Sequence, residues 1–521
     1  MILSRTNTKE YLMKYLNLER LNCSIRKRLS AEGAFLLLII AVALALRTYQ
    51  LAKYDLWYDE IISFYSARDF FHPTHQKFIE PPLFYFLLHY WIKIFPANEF
   101  WLRLPSVIIG VFTVIATFNF KKIITDKKIV YLATALIALS PFHIWYSQEV
   151  RHYILSCLLA VLNIYYFLSL LKNKNLAGWL KFSLISILGL YSSYFFILLL
   201  CAEFIYSLFK VSFGKIIICY SFILVIYSYW LPSFTKEYLF IKQGFWNTIP
   251  TLPLLNLKYV FENFGMGYNC ATGVYIFYDL FLIFIFGYIF ILKKELLNNP
   301  VYRCGFSLLT IGLVISFLFS RSILAIWLDR GLIIFIPLFY LLVSFAILNL
   351  KKWAKIFSIA VVLFLLCYAL FNYYAQTNLC FLQHRIGVTP KEKIKSAISF
   401  LEKSGRPNDL YLISHLSIYP AFSFYNFKYP HYFIFPNGAL HDTFKTPFVE
   451  KGRFINIETA KAKIKNADNL IWIIGSNWER NDNSQAGQKV IDSFNKDFNR
   501  VVNSTNDGFY IHCFRKSTHE S

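Results

Sequence analysis

Three short stretches of this sequence gather residues able to do acid–base and phosphate chemistry. Asp55, Asp59, Glu60 and Glu80 share one polar stretch. Gln148, Glu149, Arg151 and His152 end an apolar run, and Asp329 and Arg330 precede another. A carboxylate can take a proton as general base or ligate a cation, and a guanidinium can clamp a phosphate in a bidentate way. Ionisable groups at the border of apolar segments are expensive, so each is a functional hypothesis by default. A polar reaction on a lipid-linked phosphate would need this combination.

The elements that must position these groups are membrane helices. Of the 521 residues, 57% are hydrophobic, 19% aromatic and only 16% charged, against about 25% charge in an average soluble domain. The formal net charge of +23 sits in short clusters between apolar runs and at the two ends. Membrane proteins carry positive charge in this way, so nucleic-acid binding is excluded. A bilayer core about 30 Å thick takes roughly 20 apolar residues in a helix. Candidate spans are 31–50, 103–120, 129–147, 152–171, 177–191, 193–209, 216–232, 273–292, 303–320, 331–350 and 356–374.

The run 81–95 is apolar but short, and it carries His89 and Lys93. If it does not cross, the clusters Lys121–Lys128, Lys172–Lys174, Lys210–Lys215, Lys293–Lys294 and Lys351–Lys355 fall on the side of the basic N-terminus, as the positive-inside rule asks. The expected architecture is therefore a polytopic α-helical membrane protein of about 11 transmembrane helices, with 81–95 along the outer interface. Residues 1–30 are a cytoplasmic segment, 31–375 the membrane module with a first outer loop 51–102, and 376–521 a soluble extracytoplasmic α/β domain. All three chemistry-bearing stretches emerge on the outer side.

In the C-terminal part, 390–403, 459–465 and 488–494 read as helices. Stretches 409–413, 469–474, 499–502 and 509–514 read as strands, an alternation that suggests a small α/β layer domain. It has no Gly-rich phosphate loop and is expected to be a cap or an acceptor-docking domain. The nine cysteines contain no CxxC pair, and a Cys380–Cys513 bridge is conceivable.

Five motifs in order carry a family resemblance. Leu56-Trp57-Tyr58-Asp59-Glu60 follows the first span, Glu80-Pro81-Pro82-Leu83-Phe84-Tyr85 opens the interfacial helix, and Arg103-Leu104-Pro105-Ser106 opens the second span. Ser140-Pro141-Phe142-His143-Ile144-Trp145-Tyr146-Ser147-Gln148-Glu149-Val150-Arg151 closes the third, and Asp329-Arg330 precedes a run containing Pro337. The chain resembles the glycosyltransferase family 39-like membrane proteins of the GT-C fold, with protein O-mannosyltransferases and lipid A aminoarabinose transferases among the relatives. The resemblance covers roughly residues 31–350.

It implies transfer of a single sugar from a polyprenyl-phosphate donor to a glycan, lipid or protein acceptor, most naturally at the outer face of a bacterial inner membrane. Asp59 is then the general base of an inverting attack, with Glu60 beside it in the catalytic pair. Glu80 and Glu149 would hold acceptor, sugar or a divalent cation. Arg151 and Arg330 would meet the carrier phosphate. Two positions depart from the family pattern: Glu80 stands where His or Lys is common, and Gly331 where Tyr is common.

Each residue also has a structural reading. Asp59 could be a helix N-cap, Glu80 could cap the interfacial helix, and Glu149 and Arg151 could pair at a span end. Arg330 could snorkel to headgroups. Three other functions compete: a surface-polysaccharide polymerase or ligase, a lipid-linked sugar transporter or flippase, and a ligand-binding receptor. The first usually places its large outer loop late in the chain. The transporter predicts internal repeats and mid-span charges, which the sequence lacks, and the receptor leaves the first-loop acids unexplained.

Overall fold

The computed structural model describes residues 31–72, 80–172, 175–208, 213–240, 255–292, 299–322, 329–377, 393–415, 418–435, 453–463, 469–476, 486–506 and 509–516. Cys380 lies outside these residues. Its expected partner Cys513 is buried in a strand opposite Trp472.

The membrane part begins with α1 (Ala31–Thr48), the short loop helix α2 (Tyr58–Arg68), α3 (Leu83–Ile92), α4 (Glu99–Phe118), α5 (Lys127–Leu139) and α6 (Pro141–Ser147). It continues through α7 (Tyr153–Lys172), α8 (Leu176–Leu190), α9 (Phe196–Leu208), α10 (Phe213–Ser228), α11 (Leu231–Phe240), α12 (Leu255–Met266) and α13 (Thr272–Leu292). Then come α14 (Pro300–Ser322), a 3-10 turn (Gly331–Phe335), α15 (Ile336–Leu348) and α16 (Lys352–Ala375). Among the described residues six helices are long and apolar enough to cross a membrane, or eight if two bent pairs each count as one span. The expected number was about eleven. Outside that count stand the apolar helices α8 and α9, of 15 and 13 described residues, and α13, of 21. The ten residues of α3 reach only about 15 Å, half the thickness a crossing requires.

The expected straight span 129–147 is broken instead. Pro141 cannot continue the ladder of α5, and Ser140 before it takes an extended backbone (φ −61°, ψ 117°). Ser140 then caps α6, its Oγ accepting from the His143 N–H at 3.2 Å. The two helices meet at 56°. The carbonyls freed at the end of α5 are met by Arg47, which donates to Ala138 at 3.0 Å and Ile137 at 3.2 Å and is fully buried. A similar break of 72° separates α10 from α11, where Pro232 follows Leu231.

The two ends of the bundle differ in charge. At one, Glu32 of α1 bridges Lys121 and Lys127, each at 2.9 Å, and Lys172 donates to the Ile123 carbonyl at 2.6 Å. At the other lie the loop 51–57, α2, the α6–α7 turn and Arg330.

Residues from Ile394 onward form α17 (Ile394–Ser404), β1 (Leu410–Ile413), α18 (Tyr419–Phe424), β2 (His431–Phe435), β3 (Phe454–Asn456), α19 (Ile457–Ala462), β4 (Ile471–Ser476), α20 (Ala486–Asp497), β5 (Phe498–Asn506) and β6 (Phe509–Lys516). The sheet order is β3-β2-β1-β4-β6-β5. The first four strands run parallel, and β6 and β5 close one edge as an antiparallel hairpin. Asp409 locks the entry to β1, accepting from Arg406 N, Leu470 N and Trp472 Nε1 at 2.9 to 3.0 Å. The expected helices and strands here all have counterparts, whereas α18, β2 and β3 had no counterpart in the sequence reading.

Candidate functional site

Asp59 and Glu60 stand in the first turn of α2, whose N-cap is Trp57. Asp59 is thus not the cap. Its Oδ2 lies 3.4 Å from Arg330 Nη1 and 3.8 Å from Arg151 Nη2, and its side chain keeps 21% exposure. The fully buried Glu60 faces the other way. Arg103 grips it in a fork, Nη2 to Oε2 at 2.6 Å and Nε to Oε1 at 2.8 Å, and the Val150 N–H donates to Oε1 at 3.0 Å. Glu60 also accepts from the Trp57 N–H at 3.3 Å, half of a capping box. Arg103 spends its remaining donors on the carbonyls of Leu51, Tyr54 and Asp55. One ion pair therefore ties the first loop, α4 and the α6–α7 turn into one unit.

Arg151 joins three stretches. It meets Glu80 at 2.7 Å through Nη2 and donates to Ser63 Oγ at 3.3 Å. Burial alone would lower its pKa, but Glu80, then Tyr153 and Asp59, hold the guanidinium well above its ordinary value. The Tyr153 ring lies between the two arginines, 5.4 Å from Arg151 Cζ and 5.6 Å from Arg330 Cζ. Both distances are in cation–π range. Asp329 fixes the turn that aims Arg330, accepting from Asn263 at 2.6 Å, Tyr268 at 2.8 Å and the Arg330 N–H at 2.7 Å. A Cβ at Gly331 would lie 2.4 Å from the Phe195 ring, so a side chain there would have to displace that ring.

The structure thus brings together Asp59, Glu80, Arg151 and Arg330. Glu149 is buried and takes the Trp145 Nε1–H at 2.5 Å. No group of three or more His, Cys, Asp or Glu that could hold a metal forms among the described residues. Sequence reasoning missed Tyr153, Ser63 and the Arg103 fork. Arg103 stood in a recognised motif, and an arginine opening an apolar span was its one local signal.

Comparisons with known proteins bear on the family and the fold. Residues 79–233 match the family described as dolichyl-phosphate-mannose-protein mannosyltransferase. At the level of sequence the chain matches no curated protein. Its fold is similar to that of ArnT from Cupriavidus metallidurans. The apo structure has a TM-score of 0.58 at 12% identity, over 93% of this chain and 98% of that one. The structure bound to undecaprenyl phosphate has a TM-score of 0.56 at 11% identity, over 92% and 98%. The resemblance read from the five motifs is thereby established: this is a chain of the GT-C fold, similar to the glycosyltransferase family 39-like membrane proteins.

Proposed function

We propose that the protein is a glycosyltransferase that moves one sugar from a polyprenyl-phosphate donor to a glycan, lipid or protein acceptor. The observation that carries this reading is the meeting of Asp59 with Arg151 and Arg330 from three distant parts of the chain. ArnT, which shares the fold, has been captured with undecaprenyl phosphate, and two guanidiniums 5 to 6 Å from one ring suit the phosphate of such a carrier.

In the proposed reaction an acceptor hydroxyl oxygen attacks the anomeric carbon, and Asp59 takes its proton. The bond from that carbon to the phosphate oxygen breaks, with inversion. Arg151 and Arg330 stabilise the charge that grows on the leaving phosphate. On entering, the phosphate would take over the arginine donors that now face Asp59, freeing the carboxylate for the acceptor. Glu60 acts through position, holding α2 in place, and Glu80 orients Arg151. Glu149 would hold acceptor, sugar or a divalent cation.

The lysine-rich end of the bundle lies opposite the site. By the positive-inside rule the N-terminus is then cytoplasmic, and the site and the domain from about residue 376 are extracytoplasmic, in a bacterial inner membrane.

The test is to supply membranes containing the protein with a panel of radiolabelled polyprenyl-phosphate hexoses and pentoses. Release of label from one carrier, with a matching glycosylated product, supports the reading and names the donor. Absence of release from all of them contradicts it.

A further inference from the structure

The C-terminal sheet domain meets the segment leading into α2, which carries Asp59, through Tyr425 and Lys395. Tyr425, at the end of α18, accepts at its Oη the N–H of Leu56 at 2.7 Å and donates to Glu99 Oε1 at 2.9 Å. The Lys395 N–H donates to Asp55 Oδ2 at 2.7 Å, and its ammonium pairs with Glu99 and lies 3.7 Å from Asp55 Oδ1. The Lys395 ammonium also sits 4.9 Å from the Tyr425 ring centroid. Next to these contacts the rings of Phe424 and Phe64 of α2 meet edge-on at 5.0 Å. Asn426 follows Tyr425 in the left-handed region (φ 54°), a conformation Asn tolerates, and turns the chain away at once.

Loop residues 51–55 are therefore held from below by Arg103, while Tyr425 and Lys395 hold 55 and 56 from above. The Leu56 amide is three residues ahead of Asp59, and only the N-cap and Tyr58 lie between. A buried amide without its acceptor would seek another, and the loop would shift with it. We propose that Tyr425 is a positioning residue for Asp59, so that the C-terminal domain completes the active site rather than merely covering it. This rests on the functional reading above, in which Asp59 is the base.

The test uses the full-length protein and Tyr425→Phe, which keeps the ring and removes the hydroxyl, with Lys395→Ala as an independent second variant. Two readouts are taken: amide hydrogen exchange of the peptide over residues 55–60, and the kcat and donor KM of transfer. The expected result for Tyr425→Phe is exchange about tenfold faster in that peptide, with β1 and β4 peptides unchanged. At the same time kcat falls about tenfold and donor KM stays within about twofold. Lys395→Ala should move both readouts in the same direction. Unchanged exchange overturns the proposal, and so does faster exchange with unchanged kcat, or a rise in KM alone. If the wild-type protein transfers no sugar, the functional reading falls, while the exchange result still decides whether Tyr425 fixes the loop.

Discussion

Asp59 and Glu60 are neighbours in sequence, and the structure sends them into opposite surroundings. Glu60 is fully buried, with a two-pronged arginine and two backbone N–H groups meeting its oxygens. Asp59 keeps 21% exposure and meets its arginines only at 3.4 and 3.8 Å. A saturated carboxylate can hold a structure together but has no lone pair to offer a substrate. A loosely paired one can exchange its partners for a proton. The difference separates scaffold from chemistry where the residue types alone do not.

The scaffold side should break with the largest effect. Glu60→Ala leaves the Arg103 guanidinium buried and unpaired, and removing one partner of such a pair costs about 3–5 kcal/mol. Thermal unfolding in detergent should show that loss, with less folded protein recovered from membranes. Wild-type stability in this variant would place Glu60 outside the framework.

The arginines that face Asp59 come next. Arg330→Ala should lower kcat by about 10²–10³-fold with a much smaller stability change, since Asp329 keeps its three donors. Arg330→Lys should recover part of the rate, as a point charge without the fork. Single-turnover transfer with labelled donor reads both.

The smallest effect concerns Asp55, which Lys395 holds less firmly than Arg103 holds Glu60. Burial, ahead of the opposing Lys395 contacts, raises its pKa above the ordinary value. A carboxyl raised in the folded state favours folding below its unfolded pKa of about 3.9, and this contribution is lost as pH rises through the folded pKa. Asp55→Asn cannot ionise. Its stability relative to wild type should therefore increase as pH climbs above that value, by about 1 kcal/mol or less for a partly exposed group. Melting curves at several pH values check the sign, and a variant that loses stability relative to wild type as pH rises would contradict it.

Much of the site was legible in the sequence because charges beside apolar runs are rare. Asp59, Glu80, Arg151 and Arg330 stood out for that reason, and they do converge. The bend inside 129–147 was hidden, because a hydropathy window passes over Pro141 when both flanks are apolar. Arg47 fell inside the expected span 31–50 without drawing notice, and only the tertiary fold places it under the carbonyls of α5. The strand β2 is five residues long and mostly aromatic, too short for periodicity to separate strand from helix. The link from Tyr425 to Leu56 crosses 369 positions and leaves no local trace.

The central claim is that Asp59, and not its neighbour, takes the acceptor's proton. The most direct measurement compares Asp59→Asn with wild type at matched expression, reading sugar transfer from the radiolabelled polyprenyl-phosphate donor together with thermal unfolding. The account predicts a loss of about 10²–10⁴-fold in turnover with a melting midpoint within about 2 °C of wild type. Undiminished turnover in folded Asp59→Asn would remove Asp59 as the base.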